Sequence, residues 1–391
     1  MHILWLCSWF PNPTDRFDGD FIARHAAALA TIQHVHVIHL VQDHRVLLQG
    51  QPLSYVHNAG RLTEEIHQIP SHITGLGYLD RVLFNLQYYR TYHRIIQAYI
   101  NQHGKPNLVH VHVPVKASVA ARWLLKKWGI PYVITEHSSA YHQCIPQSYQ
   151  HRNWFFRFQT RSAFQHAAAV SSVSYSLLYR LQQLFSLQHI RMIRNCVDTN
   201  LFFPVLKGII RHQFRFIHVS MLVPLKNVAG ILHAFQQVLQ VNSNCELVVV
   251  GPATDTLRQQ AVDLGIDEQV KWTGLLEYAA VAQQLQQADV LVHFSDYENL
   301  PCVINEALCC GLPVISSDVG GISELVNDSN GILVPPKDSN ALKEAMLQMC
   351  KHYQQYNRNA IAASAAKMFC YERIGSEFIG WYQSVLQPIN S

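Results

Sequence analysis

Two glutamates, Glu298 and Glu306, stand eight positions apart in the segment ADVLVHFSDYENLPCVINEALCCGLPVISSDVGGISELV, residues 288–326. An apolar run ends before Glu298, and the helix-like segment that contains Glu306 begins near Pro301. This pattern predicts a strand–loop–helix–strand unit whose polar residues gather at one end of a sheet. In a parallel α/β sheet, that end is where ligands bind. Carboxylates there accept hydrogen bonds from hydroxyl groups, and the backbone N–H groups that begin a helix bind anions such as phosphates.

Apolar runs and helix-period stretches alternate along the whole sequence. Six strands are predicted in the first half, at His2–Ser8, Val35–Leu40, Leu108–Val113, Tyr132–Thr135, Ala169–Val173 and Arg191–Arg194. Five more are predicted in the second half, at Arg215–Ser220, Glu246–Val250, Val270–Thr273, Val290–Phe294 and Val314–Ser316. Apolar side chains at helical spacing predict a helix over Asn227–Leu239. Alternation of this kind is typical of parallel α/β architecture.

The length of 391 residues suits two domains rather than one ordinary core. Turn residues and a proline mark the expected boundary near Asn195–Gly208. We therefore predict an α/β protein with two Rossmann-like domains that face each other across a cleft, over residues 1–199 and 200–370. The last helix, residues 371–391, is expected to pack back on the N-terminal domain, although its amphipathic period alone does not decide this.

Composition excludes several classes of protein. With 49% hydrophobic and 14% charged residues, the chain is globular rather than disordered. The nine cysteines are scattered and never spaced as C-x2-C, which fits a reducing compartment and favours neither disulfides nor a zinc site. No apolar run approaches the roughly 18 residues that span a bilayer. We therefore expect a cytoplasmic protein that is soluble or peripheral on the inner face of the membrane.

Charge is distributed unevenly along the chain. Residues 1–199 carry 18 basic and 9 acidic side chains, a net charge of +9, whereas residues 200–391 carry 12 and 17, a net charge of −5. Two segments, residues 81–99 and 151–164, mix arginine with tyrosine, tryptophan and phenylalanine. Such helices lie on anionic membranes, stack on sugar rings or cover a core with extended arginines, and all three alternatives stay open. Nucleic acid is a poorer partner, because no binding motif accompanies the charge.

The run ENLPCVINEALCCGLPV, which starts at Glu298, resembles the E-x7-E signature of the family 4 glycosyltransferases. The strand before it and the glycine pair after it fit the same pattern. Further landmarks of the family are Gly19, the TEHSS run at residues 135–139, Asn195 and Asp198. The resemblance implies the GT-B fold and a retaining enzyme that uses a nucleotide-activated sugar.

The resemblance also implies how the donor binds. Glu306 would accept hydrogen bonds from both ribose hydroxyls, and Glu298 would bind hydroxyls of the transferred sugar. A helix that starts near Pro301 offers its positive dipole end to a diphosphate. The nucleotide base is expected to contact main-chain groups. A glycine at the start of the first helix lets the backbone approach a phosphate or sugar closely. The main-chain groups expected at the donor belong to Gly19, Gly274, Asn299, Leu300, Cys302 and Val303.

Lys226 follows a predicted strand in the loop MLVPLKN. A cation there can neutralise the departing nucleoside diphosphate, where negative charge grows in the transition state. The family usually offers an arginine in this loop as well, and Met221 occupies that position here. Either another group substitutes for the arginine, or the leaving group is stabilised less strongly.

His137 follows a predicted strand, and the resemblance places it beside the reacting sugar. It is the one histidine among 23 that we select, together with Lys226 and Glu298, as a catalytic residue. His110 and His112 alternate on one strand but have no third ligand spaced with them. In Asp18-Gly19-Asp20 we expect loop and N-cap residues. No metal site is therefore expected.

The expected reaction transfers a sugar from a nucleotide-sugar, UDP-linked by default and GDP-linked next, to a glycan, lipid-linked or small-molecule acceptor, in cell-surface glycan synthesis. No cofactor is expected, and retention without a protein nucleophile suggests front-face displacement. Two alternatives remain: a nucleotide-sugar epimerase of the same fold, and a non-catalytic nucleotide-sugar-binding protein. A dehydrogenase is disfavoured, because the first strand leads to Pro11-Asn12-Pro13 instead of G-x-G-x-x-G.

Overall fold

The computed structural model describes residues 1–43, 54–70, 77–142, 145, 148–205 and 213–387. Two compact units divide the chain, one formed by Met1–Arg194 with Tyr371–Ser391 and the other by Asn195–Cys370. Each unit is built on its own mainly parallel sheet, which confirms the predicted α/β class. Part of the expected boundary segment, residues 206–208, lies outside the described residues. Among the described residues, no helix is long and apolar enough to cross a membrane.

Eight strands of the described residues form the sheet of the N-terminal unit. They are β1 (Ile3–Cys7), β2 (Val35–Asp43), β3 (Ser54–Ala59), β4 (Leu62–Pro70), β5 (Leu108–His112), β6 (Tyr132–Glu136), β7 (Ala169–Ser172) and β8 (Ile190–Met192). Their order is β3-β4-β2-β1-β5-β6-β7-β8, and only β3 runs antiparallel to its neighbour. The order reverses between β1 and β5, so the loops that follow these two strands diverge at a topological switch point.

The central strands of this sheet are buried on both faces. Every residue of β1 (ILWLC) and of β6 (YVITE) is buried, as expected for parallel strands with helices on both sides. The hairpin of β3 and β4 was not predicted from the sequence, because β3 is largely exposed and β4 carries Glu64 and Glu65 among its apolar residues. Strand β3 forms the edge of the sheet, whereas Glu64 and Glu65 of β4 are about one-fifth exposed and contact His57 and His36.

Helices cover this sheet. The first ones in the chain are α1 (Asp20–Ala30), α2 (Gly77–His103), α3 (Pro114–Trp128), α4 (Trp154–His166) and α5 (Tyr175–Phe185). A core of buried side chains joins α2, α3, α4 and α5 to one face of the sheet. Within it, Tyr132 of β6 donates from Oη to the carbonyl oxygen of Ala163 on α4 at 2.6 Å. These four helices and the strands beneath them therefore share one core.

The sheet of the C-terminal unit is parallel throughout its described strands. They are β9 (Phe214–Val219), β10 (Cys245–Val250), β11 (Val270–Gly274), β12 (Val290–His293), β13 (Val314–Ser317) and β14 (Gly331–Val334). Their order is β11-β10-β9-β12-β13-β14, so the switch point lies between β9 and β12. The loops after β9 and β12 meet there. The short strand β14 was absent from the prediction.

Six α-helices of the described residues belong to this unit. They are α6 (Val228–Val241), α7 (Asp255–Asp263), α8 (Tyr278–Gln287), α9 (Cys302–Cys309), α10 (Ser339–His352) and α11 (Arg358–Phe369). The Asn227 side chain caps α6 by accepting a hydrogen bond from the Gly230 N–H group at 3.1 Å. The predicted helix over Asn227–Leu239 is thereby confirmed.

The terminal helix α12 (Tyr371–Leu386) belongs to the N-terminal unit, where it packs along α1. Its Gly375 lies so close to α1 that an added Cβ atom would come within 2.5 Å of the Ala28 carbonyl oxygen. The Tyr382 hydroxyl also forms a 2.7 Å hydrogen bond with Nδ1 of His110 on β5. This helix therefore completes the face of the sheet that α1 covers.

Candidate active site

Lys226 and Glu298 meet at the switch point of the C-terminal sheet. Lys226 lies in the loop after β9, and Glu298 lies in the loop after β12. The Lys226 ammonium donates a hydrogen bond to Oε1 of Glu298. His293, the last residue of β12, donates from Nε2 to the same oxygen at 2.8 Å. Within the described part of the chain, Glu298 Oε2 accepts no hydrogen bond, so this oxygen remains available to a ligand hydroxyl.

The charge on Glu298 is fixed before any ligand arrives. Burial alone would raise the pKa of this carboxyl, but the hydrogen bond from His293 and the charge of Lys226 together lower the pKa to about 2. The side chain is 11% exposed, so the carboxylate is held in a largely dry place. A preorganised acceptor of this kind binds a sugar hydroxyl without reorganisation during the reaction.

The loop that carries Lys226 is held in place by hydrogen bonds to its main-chain groups. Ser220 Oγ accepts a hydrogen bond from the Leu222 N–H group at 3.0 Å, and Leu222 lies in the left-handed region at φ 52°. The Leu225 carbonyl oxygen accepts a hydrogen bond from the N–H group of Asp296 in the next loop at 2.8 Å. Met221 is 50% exposed. The loop therefore orients Lys226, and an uncharged side chain occupies the expected arginine position.

Helix α9 begins next to these charges. Pro301 is its N-cap residue, and no side chain caps the helix. The backbone N–H groups of Cys302 and Val303 head the helix, which suits an anion. Glu306 lies inside the same helix, 5% exposed, and its Oε1 accepts a hydrogen bond from the Tyr278 hydroxyl at 3.2 Å. The tyrosine thus orients the carboxylate that the sequence assigns to the ribose.

The main chain between Glu298 and Leu300 is clamped from two sides. Gly320 has φ 60°, and an added Cβ atom there would come within 1.7 Å of the Glu298 carbonyl oxygen. The next residue donates its N–H to the Asn299 carbonyl oxygen at 2.9 Å. Asn195 donates from Nδ2 to the Leu300 carbonyl oxygen at 3.1 Å. Any residue larger than glycine at position 320 would displace the loop that presents Glu298.

Gly274 ends β11, two strands away from β9 in the sheet. Its φ of 72° favours glycine, and among the described residues no atom lies within 4 Å of an added Cβ. The Gly274 carbonyl oxygen accepts a hydrogen bond from the Gly251 N–H group at 2.9 Å. The position is therefore open on its side-chain side, which leaves room for a flat ligand group near the main chain.

In the N-terminal unit, His137 directly follows β6 and lies near the end of β5. Its Nε2 is 3.3 Å from Nδ1 of His112, and the two rings stack with centroids 5.5 Å apart. The Glu136 carboxylate accepts a hydrogen bond from the His137 main-chain N–H group at 2.8 Å. The ring of His110 also lies beside that of His112, with centroids 4.0 Å apart, but its two nitrogens hydrogen-bond to the Tyr382 hydroxyl and Thr135 Oγ1. His112, rather than His110, is thus the partner of His137.

Gly19 is the N-cap residue of α1, at φ 63° and ψ 29°. An added Cβ atom would come within 2.8 Å of the Trp9 main chain, so the glycine is required by the chain itself. The expectation that the flanking aspartates supply the cap is wrong, because no side chain caps this helix. Asp20 instead lies in the first turn and pairs with Arg24 at 2.9 Å.

Several residues of these sites were not selected from the sequence. His293 ends the apolar strand β12, and His218 lies one residue before the end of β9; a polar residue at the buried end of a strand is a signal that could have found them. Asn195 lies in the expected domain boundary, and its hydrogen bond to the Leu300 carbonyl oxygen before α9 could not be inferred from spacing along the sequence. His25 of α1 lies beside His137, with ring centroids 5.5 Å apart, although 112 residues separate them.

Both halves of the chain match known families. Residues 21–201 match the family described as Glycosyltransferase Family 4, and residues 207–367 match the family described as Glycosyl transferases group 1. Among curated proteins, the N-acetyl-alpha-D-glucosaminyl L-malate synthase of Bacillus anthracis is 26% identical over 304 residues, which are 74% of this chain and 78% of the relative. The two family matches together extend over most of the sequence.

Solved structures give the same result for the fold. The sucrose-phosphate synthase of Thermosynechococcus elongatus superposes with a TM-score of 0.79 at 19% identity, over 98% of this chain and 99% of that one. Anabaena Alr3699/HepE in complex with UDP superposes with a TM-score of 0.74 at 21% identity, over 98% of this chain and all of that one. At such identities the likeness concerns the fold alone.

Proposed function

The chain belongs to the family 4 glycosyltransferases, with the GT-B fold, and from that premise we propose that it transfers a sugar from a UDP-sugar to a glycan or lipid-linked acceptor with retention of configuration. Donor binding is assigned to the C-terminal unit and acceptor binding to the N-terminal unit. The observation that carries the proposal is the contact of Lys226 and His293 with one oxygen of Glu298, beside the first turn of α9.

Each group has a distinct task at the donor. Glu298 Oε2 accepts a hydrogen bond from a hydroxyl of the transferred sugar. The N–H groups of Cys302 and Val303 bind the diphosphate, and Lys226 balances the charge that develops as the diphosphate leaves. Glu306 binds the ribose hydroxyls, with charge-assisted hydrogen bonds that contribute about 1.5–3 kcal/mol each.

The proposed reaction is a front-face displacement without a protein nucleophile. The acceptor hydroxyl oxygen forms a bond to the anomeric carbon on the face from which the diphosphate oxygen departs, and the hydroxyl proton passes to that departing oxygen. His137 contacts a sugar hydroxyl, and Gly19 brings the start of α1 close to the substrate. The chain acts through positioning and charge, with no metal or cofactor required for transfer.

UDP is the proposed nucleotide and GDP the second choice. Support for UDP comes from the structural likeness to Anabaena Alr3699/HepE, whose structure contains UDP. A thermal-shift panel of UDP, GDP, ADP and CMP identifies the base. A nucleotide at 100 times its dissociation constant adds about 2.7 kcal/mol to the free energy of unfolding.

A cytoplasmic enzyme that contacts the inner face of a membrane is proposed from the surface of α4. Trp154, Phe155 and Phe158 are 73%, 49% and 61% exposed on this helix, which also carries Arg157 and Arg161. Aromatic rings with arginines suit an anionic lipid surface. Because α4 begins at the carboxyl edge of its sheet, this surface would bring a lipid-linked acceptor for cell-surface glycan synthesis to the same edge as His137.

The test of the donor site is Glu306→Ala in a donor-turnover assay. Loss of two charge-assisted hydrogen bonds is expected to raise the KM for the donor at least 10-fold. Glu344→Ala is the matched control, because Glu344 lies on α10 with its side chain 68% exposed and contacts Lys343. Near-normal transfer by Glu306→Ala would overturn the assignment of the site.

The exposed Met221 favours a second candidate, a donor-binding protein that does not catalyse transfer. Such a protein would bind nucleoside diphosphate in the thermal-shift panel and release no sugar to any acceptor. An epimerase would be recognised by turnover of the donor with no acceptor present. Product analysis with and without acceptor therefore separates all three functions.

A further inference from the structure

Three buried histidines converge in the N-terminal unit and are called the three-histidine cluster here: His25 on α1, His112 at the end of β5 and His137 after β6. They are 0%, 0% and 8% exposed. One ring nitrogen from each lies within 4.8 Å of one from both others. The ring centroids are 5.5, 5.5 and 6.3 Å apart, so the three imidazoles lie beside one another.

The tautomer of His25 is fixed by its surroundings. Its Nε2 donates a hydrogen bond to the Arg194 carbonyl oxygen at 3.0 Å, which leaves Nδ1 as a lone-pair donor. This Nδ1 is buried and has no hydrogen-bond partner among the described residues. Histidines that bind a metal through one nitrogen usually donate the other N–H to a carbonyl or carboxylate oxygen. His25 already has that arrangement.

The other two members also have the spacing of metal ligands. His112 Nδ1 and His137 Nε2 are 3.3 Å apart. Two nitrogens bound to a tetrahedral zinc ion at 2.0–2.1 Å lie about 3.3–3.4 Å from each other. The main-chain N–H group of His137 is held by the Glu136 carboxylate, which fixes the start of its loop.

We propose that the three-histidine cluster is a binding site for one divalent ion of the zinc class. Imidazole nitrogens suit zinc and its neighbours in the first transition row, and three protein ligands leave a fourth position for water. Burial lowers the pKa of all three imidazoles, so they are in the neutral, metal-binding form at pH 7. The ion would link α1 to the ends of β5 and β6.

Metal binding is tested on the full chain without donor or acceptor. Protein stripped with a chelator is titrated with Zn²⁺ against a competing dye, and its bound zinc is measured by mass spectrometry. His25→Gln removes Nδ1 but keeps an amide donor for the Arg194 carbonyl oxygen. His39→Asn is the matched control, because His39 is equally buried and binds the Cys7 carbonyl oxygen through Nδ1, which asparagine can replace.

The expected result is one tightly bound zinc ion per chain in the wild type and in His39→Asn. In His25→Gln the affinity should be at least about 100-fold weaker, because loss of a ligand should cost no less than the roughly 10- to 100-fold loss caused by removing a ligand's hydrogen-bond partner. Absence of tight zinc binding in the wild type would overturn the proposal, and so would equal affinity in His25→Gln. Circular dichroism checks that the variants fold. If His25→Gln does not fold, Co²⁺ absorption of the wild type decides, because a tetrahedral nitrogen site gives intense visible bands and surface sites do not. The proposed transfer reaction is not involved in any of these measurements.

Discussion

The two units surround their buried histidines with different neighbours. In the C-terminal unit, His293 contacts an ionised carboxylate that Lys226 also binds. In the N-terminal unit, the members of the three-histidine cluster contact one another. Both arrangements lie at the carboxyl edge of a parallel sheet. Histidines at equivalent places in the two units therefore have different electrostatic surroundings, an ionised carboxylate in the C-terminal unit and other imidazoles in the N-terminal unit.

This difference separates two kinds of chemistry. The Glu298 carboxylate at the C-terminal switch point is negatively charged. Its Oε1 atom accepts hydrogen bonds from Lys226 and His293, and its Oε2 atom can accept one from a hydroxyl group beside a diphosphate. Neutral imidazoles present lone pairs, which suit a cation or the proton of a hydroxyl group. A residue type alone does not determine what a site binds, because the neighbouring charges select the protonation state.

Removing the charge of Glu298 is expected to have the largest effect. Glu298→Gln keeps the shape of the side chain but loses the negative charge that Lys226 and His293 contact. Loss of one preorganised group that stabilises a transition state lowers the reaction rate about 100- to 1,000-fold, so kcat/KM should fall by that factor. Steady-state transfer kinetics measure this. A decrease of less than about 10-fold would contradict the role of this residue at the donor.

His293 should have the next largest effect, as a positioning residue. His293→Leu removes one charge-assisted hydrogen bond to Glu298, and a loss of about 1.5–3 kcal/mol corresponds to a 10- to 100-fold lower kcat/KM. His293→Gln places an amide donor near the position of Nε2 and should retain activity within about threefold. If both variants lost activity equally, packing rather than the hydrogen bond to Glu298 would be the function of His293.

Acid should affect the N-terminal unit first. Burial lowers the pKa of His25 to about 4, so the unfolded chain takes up this proton near pH 6.5 while the folded chain does not. Stability therefore falls as the pH drops from about 6.5 to 4, by about 3 kcal/mol for such a group. For Glu298 the folded pKa is about 2, so its contribution is complete above about pH 4.5 and is lost only at lower pH.

Hydrogen exchange at pH 7 and pH 5, resolved by unit, measures this difference. The N-terminal unit should lose more protection, since it contains more strongly buried histidines than the C-terminal unit among the described residues: His25, His39, His110, His112 and His137, against His218 and His293. His25→Gln should reduce the loss. Equal or greater loss in the C-terminal unit would show that the buried imidazoles do not control acid stability.

The smallest effect is expected from adding the cation that the donor loop lacks. Met221→Arg places a positive charge in the loop before Lys226, where it can approach the departing diphosphate. We expect a gain in kcat of less than 10-fold, because exposed charges contribute about 1 kcal/mol or less. Val223→Arg is the control, since Val223 is 46% exposed in the same loop. Equal gains in both variants would indicate general attraction of the anionic donor.

The sequence predicted much of the fold because central parallel strands are continuous apolar runs. Runs such as that of β1 and that of β10 need no tertiary information to be recognised. The hairpin of β3 and β4 was not predicted because β3 is exposed at the sheet edge and the glutamates of β4 contact histidines of the neighbouring strands. Such contacts depend on the whole fold rather than on local sequence. Strand β14 was not predicted because it lies at the sheet edge and two of its four residues are only half-buried, whereas β12 and β13, of equal length, are buried throughout.

The two candidate sites also differ in how much of them could be predicted from local sequence. The loop and helix around Glu298 are contiguous in the chain, so their chemistry could be inferred from local spacing. The three-histidine cluster depends on α1 lying beside β5 and β6, which brings residues 25, 112 and 137 together. Spacing along one strand suggested only the pair of His110 and His112. Their ring centroids do lie 4.0 Å apart, but both ring nitrogens of His110 hydrogen-bond to Tyr382 and Thr135.

The return of α12 to the N-terminal unit has a consequence for biosynthesis. The residues of the C-terminal unit form one continuous stretch, Asn195–Cys370, and can fold as soon as they leave the ribosome. The N-terminal unit must wait for α12, because His110 and α1 find their partners there. At 5–20 residues per second, synthesis of the intervening stretch takes roughly 10–35 seconds. During that interval the first unit to be made exposes an unfinished apolar face, so a chaperone that binds nascent chains should engage it before the second unit.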